Sequence, residues 1–114
     1  MNRSQFLRNI ALLITEFGLK GYRPICFTFY RSPEDQLKEF NAGRSHVKFG
    51  KHQQWLAMDL CLWDDLDSDG NVDVNELRWN NDPRYEEIGI EWEKMGGVWG
   101  GRWKGLNDIY HFEG

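Results

Sequence analysis

Twelve consecutive residues, Asp65-Leu66-Asp67-Ser68-Asp69-Gly70-Asn71-Val72-Asp73-Val74-Asn75-Glu76, put acids at places 1, 3, 5, 9 and 12, a glycine at 6 and an apolar residue at 8. Calcium takes about six to eight oxygen ligands, and this spacing lets one short loop surround the ion. Gly70 allows the sharp turn, Asn71 offers its backbone carbonyl and Glu76 offers both oxygens. Asp65, Asp67, Asp69, Asn71, Asp73 and Glu76 are the expected Ca²⁺ ligands of an EF-hand-type loop. A second constellation is sparser. His52 and Asp59 stand seven apart, and His111 lies in the run Asp108-Ile109-Tyr110-His111-Phe112-Glu113. Two imidazoles and one carboxylate leave a fourth tetrahedral position for water, the ligand pattern of a catalytic zinc. Spacing alone leaves open whether these three meet or coincide by accident. His46, between Arg44 and Lys48, reads as a surface residue.

Several elements must position these groups. Phe6, Ile10, Leu13 and Phe17 form one face of a helix over about 3–17, closed by Gly18 and Gly21. Residues 25–30 are β-branched or aromatic and read as a short buried strand. Ser32 as cap, Pro33 as first helical residue and Asp35 in the first turn start a helix to about Phe40. A polar, glycine-punctuated loop follows over 41–50. Residues 56–63 read as a strand with Ala57, Asp59 and Cys61 on one face and Met58, Leu60 and Leu62 on the other. Because this strand runs into the acidic loop, the loop is expected as an insertion in another fold, not as half of a helix-pair sensor. Asp82-Pro83 begins a last helix over about 84–95, with Gly96-Gly97 as its stop, and 109–113 reads as a closing strand. The fold class expected is α+β, a small antiparallel sheet with packed helices.

Composition narrows the function classes. The chain of 114 residues has 14 Lys plus Arg against 18 Asp plus Glu, a formal charge of -4, which argues against a general phosphate-binding surface and so against nucleic acid as partner. Six of the acids fall in 64–76, a stretch without Lys or Arg, so the rest of the chain is slightly basic. Two cysteines, Cys26 and Cys61, are too few for a disulfide framework and read as buried thiols. The apolar run from Ile10 to Ile14 is too short for a signal-peptide core or a membrane span. One domain over 1–114, a monomer made in the cytoplasm without a signal peptide, is the expectation.

Three blocks carry a resemblance. His52-Gln53-Gln54-Trp55-Leu56-Ala57-Met58-Asp59 is similar to the His-x-x-Gly-x-Ala-x-Asp motif of the VanY-like D-alanyl-D-alanine carboxypeptidases and their phage endolysin relatives, a family of zinc peptidases. Trp99-Gly100-Gly101-Arg102-Trp103 and Asp108-Ile109-Tyr110-His111-Phe112 resemble the family's Trp-Gly-Gly-x-Trp and Asp-x-x-His-Phe ending. Tyr30-Arg31-Ser32-Pro33-Glu34-Asp35-Gln36 resembles its upstream Tyr-Arg-Ser/Thr-x-x-x-Gln block. The blocks keep the family's order and cover most of 25–114. Two positions depart from the pattern: Gly50 stands where the family has serine, and Trp55 where it has glycine.

The resemblance implies Zn²⁺ on His52, Asp59 and His111, Asp108 as general base, and Arg31 at the substrate or the developing oxyanion. The alternative for Arg31 is a salt bridge capping the second helix, and Gln36 reads equally as a substrate contact or a packing residue. Trp55, Trp99 and Trp103 are candidates for a cleft, whereas Trp63, Trp79 and Trp92 suit the core. The implied function is hydrolysis of peptidoglycan peptide stems by a phage-type endolysin, an L-alanyl-D-glutamate endopeptidase. The lack of a signal sequence favours release to the wall through holin-made lesions, and the placing of Asp65 six positions after Asp59 leads to the expectation that calcium regulates activity, with a purely structural calcium as the alternative. The alternatives are a D,D-carboxypeptidase or dipeptidase of the same family, and a non-catalytic calcium-binding module with a vestigial zinc site.

Overall fold

The computed structural model describes residues 1–79 and 82–114. Its first helix, α1 (Arg3–Leu19), begins with a reciprocal cap in which Asn2 Oδ1 accepts from the Gln5 N–H at 2.8 Å and Gln5 Oε1 accepts from the Asn2 N–H at 2.9 Å. Its apolar stripe, Phe6, Ile10, Leu13 and Phe17, is fully buried. The helix runs through Gly18 to Leu19, and the chain turns at Gly21 with φ +89°. Next come β1 (Pro24–Thr28), α2 (Pro33–Asn41), β2 (Ala57–Trp63), β3 (Leu77–Arg78), α3 (Arg84–Lys94), β4 (Val98–Trp99) and β5 (His111–Glu113). Single 3₁₀ turns lie at Lys51–Gln54, Val74–Glu76 and Gly100–Arg102.

The strands form one antiparallel sheet in the order β1-β2-β5-β4, with β3 pairing to the far end of β2. Strand alternation then divides the chemistry from the core. Met58, Leu60 and Leu62 of β2 and Phe112 of β5 face α1 and α3, where they join Tyr85, Ile88, Trp92 and Trp99 in one buried cluster. The opposite face carries Asp59, and the register sets His111 directly across from it. A one-residue slip of β5 would send His111 into the core and Phe112 into the cleft.

Four expectations are corrected. The segment after Pro24 is an edge strand, not a buried one: Cys26 is exposed, Phe27 is 48% exposed, and pairing to β2 is irregular between Cys26 and Thr28. Cys61 alone is a buried thiol. Trp99 belongs to the core, 4% exposed, with its indole N–H donated to the Ile109 carbonyl at 2.8 Å. Trp79 is half-exposed and lies against Phe27, with rings 5.3 Å apart and 5° from parallel. The short strands β3 and β4, two residues each, carry too little pattern to be read from sequence.

Candidate metal centre and its cleft

His52, on the 3₁₀ turn before β2, is brought to Asp59 because its ring is anchored from behind: Nδ1 lies 2.9 Å from the Phe29 carbonyl, which can only accept. That keeps a proton on Nδ1 and turns Nε2 toward Asp59 Oδ2 at 3.4 Å. His111 approaches the same carboxylate from β5, with Nδ1 3.2 Å from Asp59 Oδ1 and Nε2 2.8 Å from Glu113 Oε1. His52 and His111 are 4% and 7% exposed, and donor atoms of the three residues all lie within 4.8 Å of one another. Zinc bonds of about 2.1 Å in a tetrahedron set donors roughly 3.4 Å apart, and each histidine stands at about that distance from one of the two Asp59 oxygens. The mixture of two imidazoles and a carboxylate suits zinc as well.

Charge in the cluster is tightly shared. Burial raises the energy of the Asp59 carboxylate, but hydrogen bonds from His111 and His52 outweigh it and hold the carboxyl down at about 2. Burial opposes the His111 cation too, and its bonds to Asp59 and Glu113 prevail, lifting it to about 9. Asp108 lies nearby, its carboxylate accepting from the Tyr110 N–H at 3.2 Å. Burial first, and the charge of Asp59 second, push its carboxyl above the ordinary range. Its backbone is placed by Gly100: a Cβ there would come within 2.4 Å of the Asp108 carbonyl oxygen. Gly101 has a different reason, since a Cβ there would meet the Trp99 ring at 2.2 Å.

Arg31 reaches Asp59 Oδ2 with Nη2 at 3.4 Å, while its Nη1 donates to Gln36 Oε1 at 3.0 Å. Gln36 is 2% exposed, and its amide N–H groups go to Ser45 Oγ and the Val47 carbonyl, both at 2.8 Å. Gln53 closes the network, donating to the Arg31 carbonyl at 2.9 Å and accepting from the Gly50 N–H at 2.6 Å. These contacts tie the 41–50 loop, α2 and the 3₁₀ turn together behind Arg31. Gln53 lies inside the His-x-x-Gly block, but its side-chain role there needed the fold to be seen.

Arg31, His52, Asp59, Asp108 and His111 all border one open cleft of about 810 Å³, whose walls include Trp103 and Trp79. His46 borders it too, exposed, with its ring 6.0 Å from that of Trp103. Trp55 lies outside this wall, 46% exposed and stacked on Tyr30 at 4.3 Å. It holds φ +62°, the left-handed region, where a glycine would sit without strain.

The acidic loop forms a second cluster. Oxygens of Asp65, Asp67, Asp69 and Glu76 lie within 4.8 Å of one another. Gly70 has φ +77° and donates its N–H to Asp65 Oδ2 at 2.9 Å, and Glu76, 1% exposed, accepts from the N–H groups of Leu66 and Asp73. Among the described residues, Asp65 Oδ1 is buried without a hydrogen-bond partner. Dehydration in the crowded loop, with Asp69 and Glu76 adding their charge, pushes Asp67 up to about 6. Asp73 belongs to the same loop but is not among the converging side-chain oxygens.

An antiparallel sheet backed by helices thus carries, on its open face, a histidine–carboxylate cluster that could hold a metal ion. The family model described as D-alanyl-D-alanine carboxypeptidase matches residues 44–114, and the chain belongs to that peptidase family. Its fold is similar to that of the Serratia marcescens L-Ala D-Glu endopeptidase ChiX in its crystal structure, with a TM-score of 0.59 and 22% identity. The likeness covers 81% of this chain and 66% of that one. A search of curated protein sequences finds no match.

Proposed function

We propose that this peptidase is a zinc enzyme that cuts the peptide stems of bacterial peptidoglycan, as an L-alanyl-D-glutamate endopeptidase of the phage endolysin type. The observation that carries this reading is the convergence of His52 Nε2, Asp59 and His111 Nδ1 beside Asp108 and Arg31 in one cleft. The bond specificity is suggested by the structural neighbour, an L-Ala D-Glu endopeptidase. The description of the family model favours a second reading, D-alanyl-D-alanine carboxypeptidase, which releases a different product.

His52, Asp59 and His111 would hold the metal. When bound, Zn²⁺ supplies Lewis acidity to the scissile carbonyl and makes a water acidic enough to lose its proton near neutral pH. Asp108 takes that proton, a task suited to a carboxylate whose affinity for protons burial has raised. It then passes the proton to the departing amine. Arg31, held from behind by Gln36, presents its guanidinium to the negative charge that grows on the carbonyl oxygen and stabilises it. Trp103 and Trp79 wall the cleft where the stem would lie.

The acidic loop would hold Ca²⁺ through Asp65, Asp67, Asp69, Asp73 and Glu76 with the Asn71 carbonyl. Support comes from the four converging acids, the left-handed Gly70 and the unpartnered Asp65 oxygen. Such an ion would regulate activity, because β3 leaves the loop directly for Trp79 in the cleft wall. Release from the host cytoplasm into a calcium-rich exterior would then switch the enzyme on at the wall.

Metal analysis of the purified chain, followed by mass spectrometry of digested peptidoglycan, tests the function. The expected products are stems cut between L-alanine and D-glutamate, with no digestion by His52→Ala. Release of terminal D-alanine alone would establish the carboxypeptidase instead, and equal digestion by His52→Ala would sink the enzyme reading.

A further inference from the structure

The two histidines of the cluster are braced in unlike ways. His52 leans on a neutral backbone carbonyl, that of Phe29, whereas His111 donates Nε2–H to a carboxylate, Glu113 Oε1, at 2.8 Å. The backbone of Glu113 already has structural duties: it pairs with Ala57 and Val98, and its carbonyl accepts the Trp92 indole N–H at 3.0 Å. Its side chain serves none of these. The carboxylate turns to the cleft face, where its side chain is 17% exposed, and its hydrogen bond is to His111. An imidazole whose far nitrogen is held by a carboxylate has its tautomer fixed and its ligating nitrogen made more basic. Here Nε2 keeps its proton on Glu113, so Nδ1 is the nitrogen that would give up its proton to Zn²⁺ and ligate it on the Asp59 side.

Resting on the zinc reading above, we propose that Glu113 is the positioning residue of the metal centre, commits His111 to bind through Nδ1, and strengthens the protein's hold on zinc by its charge. Asp59 cannot do this, since it occupies the ligating side of the ring. Asp108 is engaged at the Tyr110 N–H.

The test measures Zn²⁺ affinity by chelator competition on the full chain, and Co²⁺ absorption as a report on ligand geometry. Glu113→Ala should bind Zn²⁺ about 10- to 100-fold more weakly and shift the Co²⁺ bands. Glu113→Gln, which keeps the shape and an acceptor but no charge, should fall between that variant and the parent. It also carries the test if the alanine variant fails to fold. Affinity within about twofold of the parent in both variants would overturn the inference while leaving the zinc site intact. An unchanged affinity with a raised KM would likewise overturn it, making Glu113 a substrate contact. If the parent binds Zn²⁺ no better than His52→Ala, the zinc reading itself falls and this inference with it.

Discussion

His111 stands between two carboxylates, and its proton is the counterion of the metal-free cluster. Relative to an ordinary histidine at 6.5, its affinity for that proton is raised to about 9 in the fold, so its contribution to stability is complete below about 6.5 and fades as pH rises through about 9. Asp59 behaves in the opposite sense: lowered from 3.8 to about 2, it stabilises the fold above about 3.8 and loses this as pH falls through about 2. Metal-stripped protein should melt highest between these limits and progressively lower from neutral toward pH 9. His111→Ala should flatten the alkaline decline, which thermal melts across pH would show. Because a ligating nitrogen must be bare, Zn²⁺ loading should also release a proton. Asp108 is a separate matter. Asp108→Asn should keep its Zn²⁺ content and lose about 10²- to 10⁴-fold in kcat, read by metal analysis and muropeptide turnover. Retained turnover would assign proton transfer elsewhere. At this scale the sequence was informative where identity alone decides, as at His52, Asp59 and His111. It was silent on Glu113 and Gln53, whose meaning is a hydrogen bond made only after strands and turns have come together.

Helices and strands deliver these side chains, and three junctions show how. At the start of the 3₁₀ turn after β4, Gly100 lets the Asp108 backbone pass within reach, so Gly100→Ala must push apart two backbone segments. The expected cost is about 1–3 kcal/mol of stability with a larger relative loss of activity, because Asp108 moves with its backbone. Denaturant melts and kinetics on one preparation would check it. After His52 the chain turns through Trp55 at φ +62°, a strained position for a bulky residue. Trp55→Gly should therefore be nearly neutral, backbone relief offsetting the lost Tyr30 stack, whereas Trp55→Val should cost more than glycine because a β-branched side chain resists that conformation. Equal stability of the two variants would refute the strain argument. At the entry to α3, Arg84 bridges Asp82 at 2.7 Å and Asp64 at 3.1 Å, and Asp64 also holds Arg78 at 2.8 Å. Hydrogen bonds from Arg84 hold both carboxyls below their usual range, so this brace is present at neutral pH and weakens as acid protonates them. The long elements were legible from their stripes and caps, and their ends agree with expectation to within a few residues. The edge position of β1 was not, because an apolar run looks alike whether one or both of its sides are covered.

For the molecule as a whole, the acidic loop and the histidine–aspartate cluster lie toward the two ends of one strand. β2 begins beside Asp59 and ends at Trp63, just before the loop, and β3 returns along it toward the cleft. Removal of Ca²⁺ at fixed Zn²⁺ should lower the melting temperature and the rate on peptidoglycan together, and Asp65→Ala should abolish the response to added Ca²⁺. Unchanged activity across the titration would leave the loop a structural feature only. Local motif spacing made both clusters visible in the sequence; their relation through a shared strand became visible only with the topology, since neither β3 nor its pairing has a sequence signature. The topology has one more consequence. β5 is three residues long, yet it lies inside the sheet, between β2 and β4. A lesion that detached His111–Glu113 from the sheet would strip both neighbours of their pairing at once and leave bare strand edges of the kind that recruit other chains. Damage there should not yield a weakened soluble enzyme; it should yield aggregate, so that loss of activity and loss of solubility arrive in the same event.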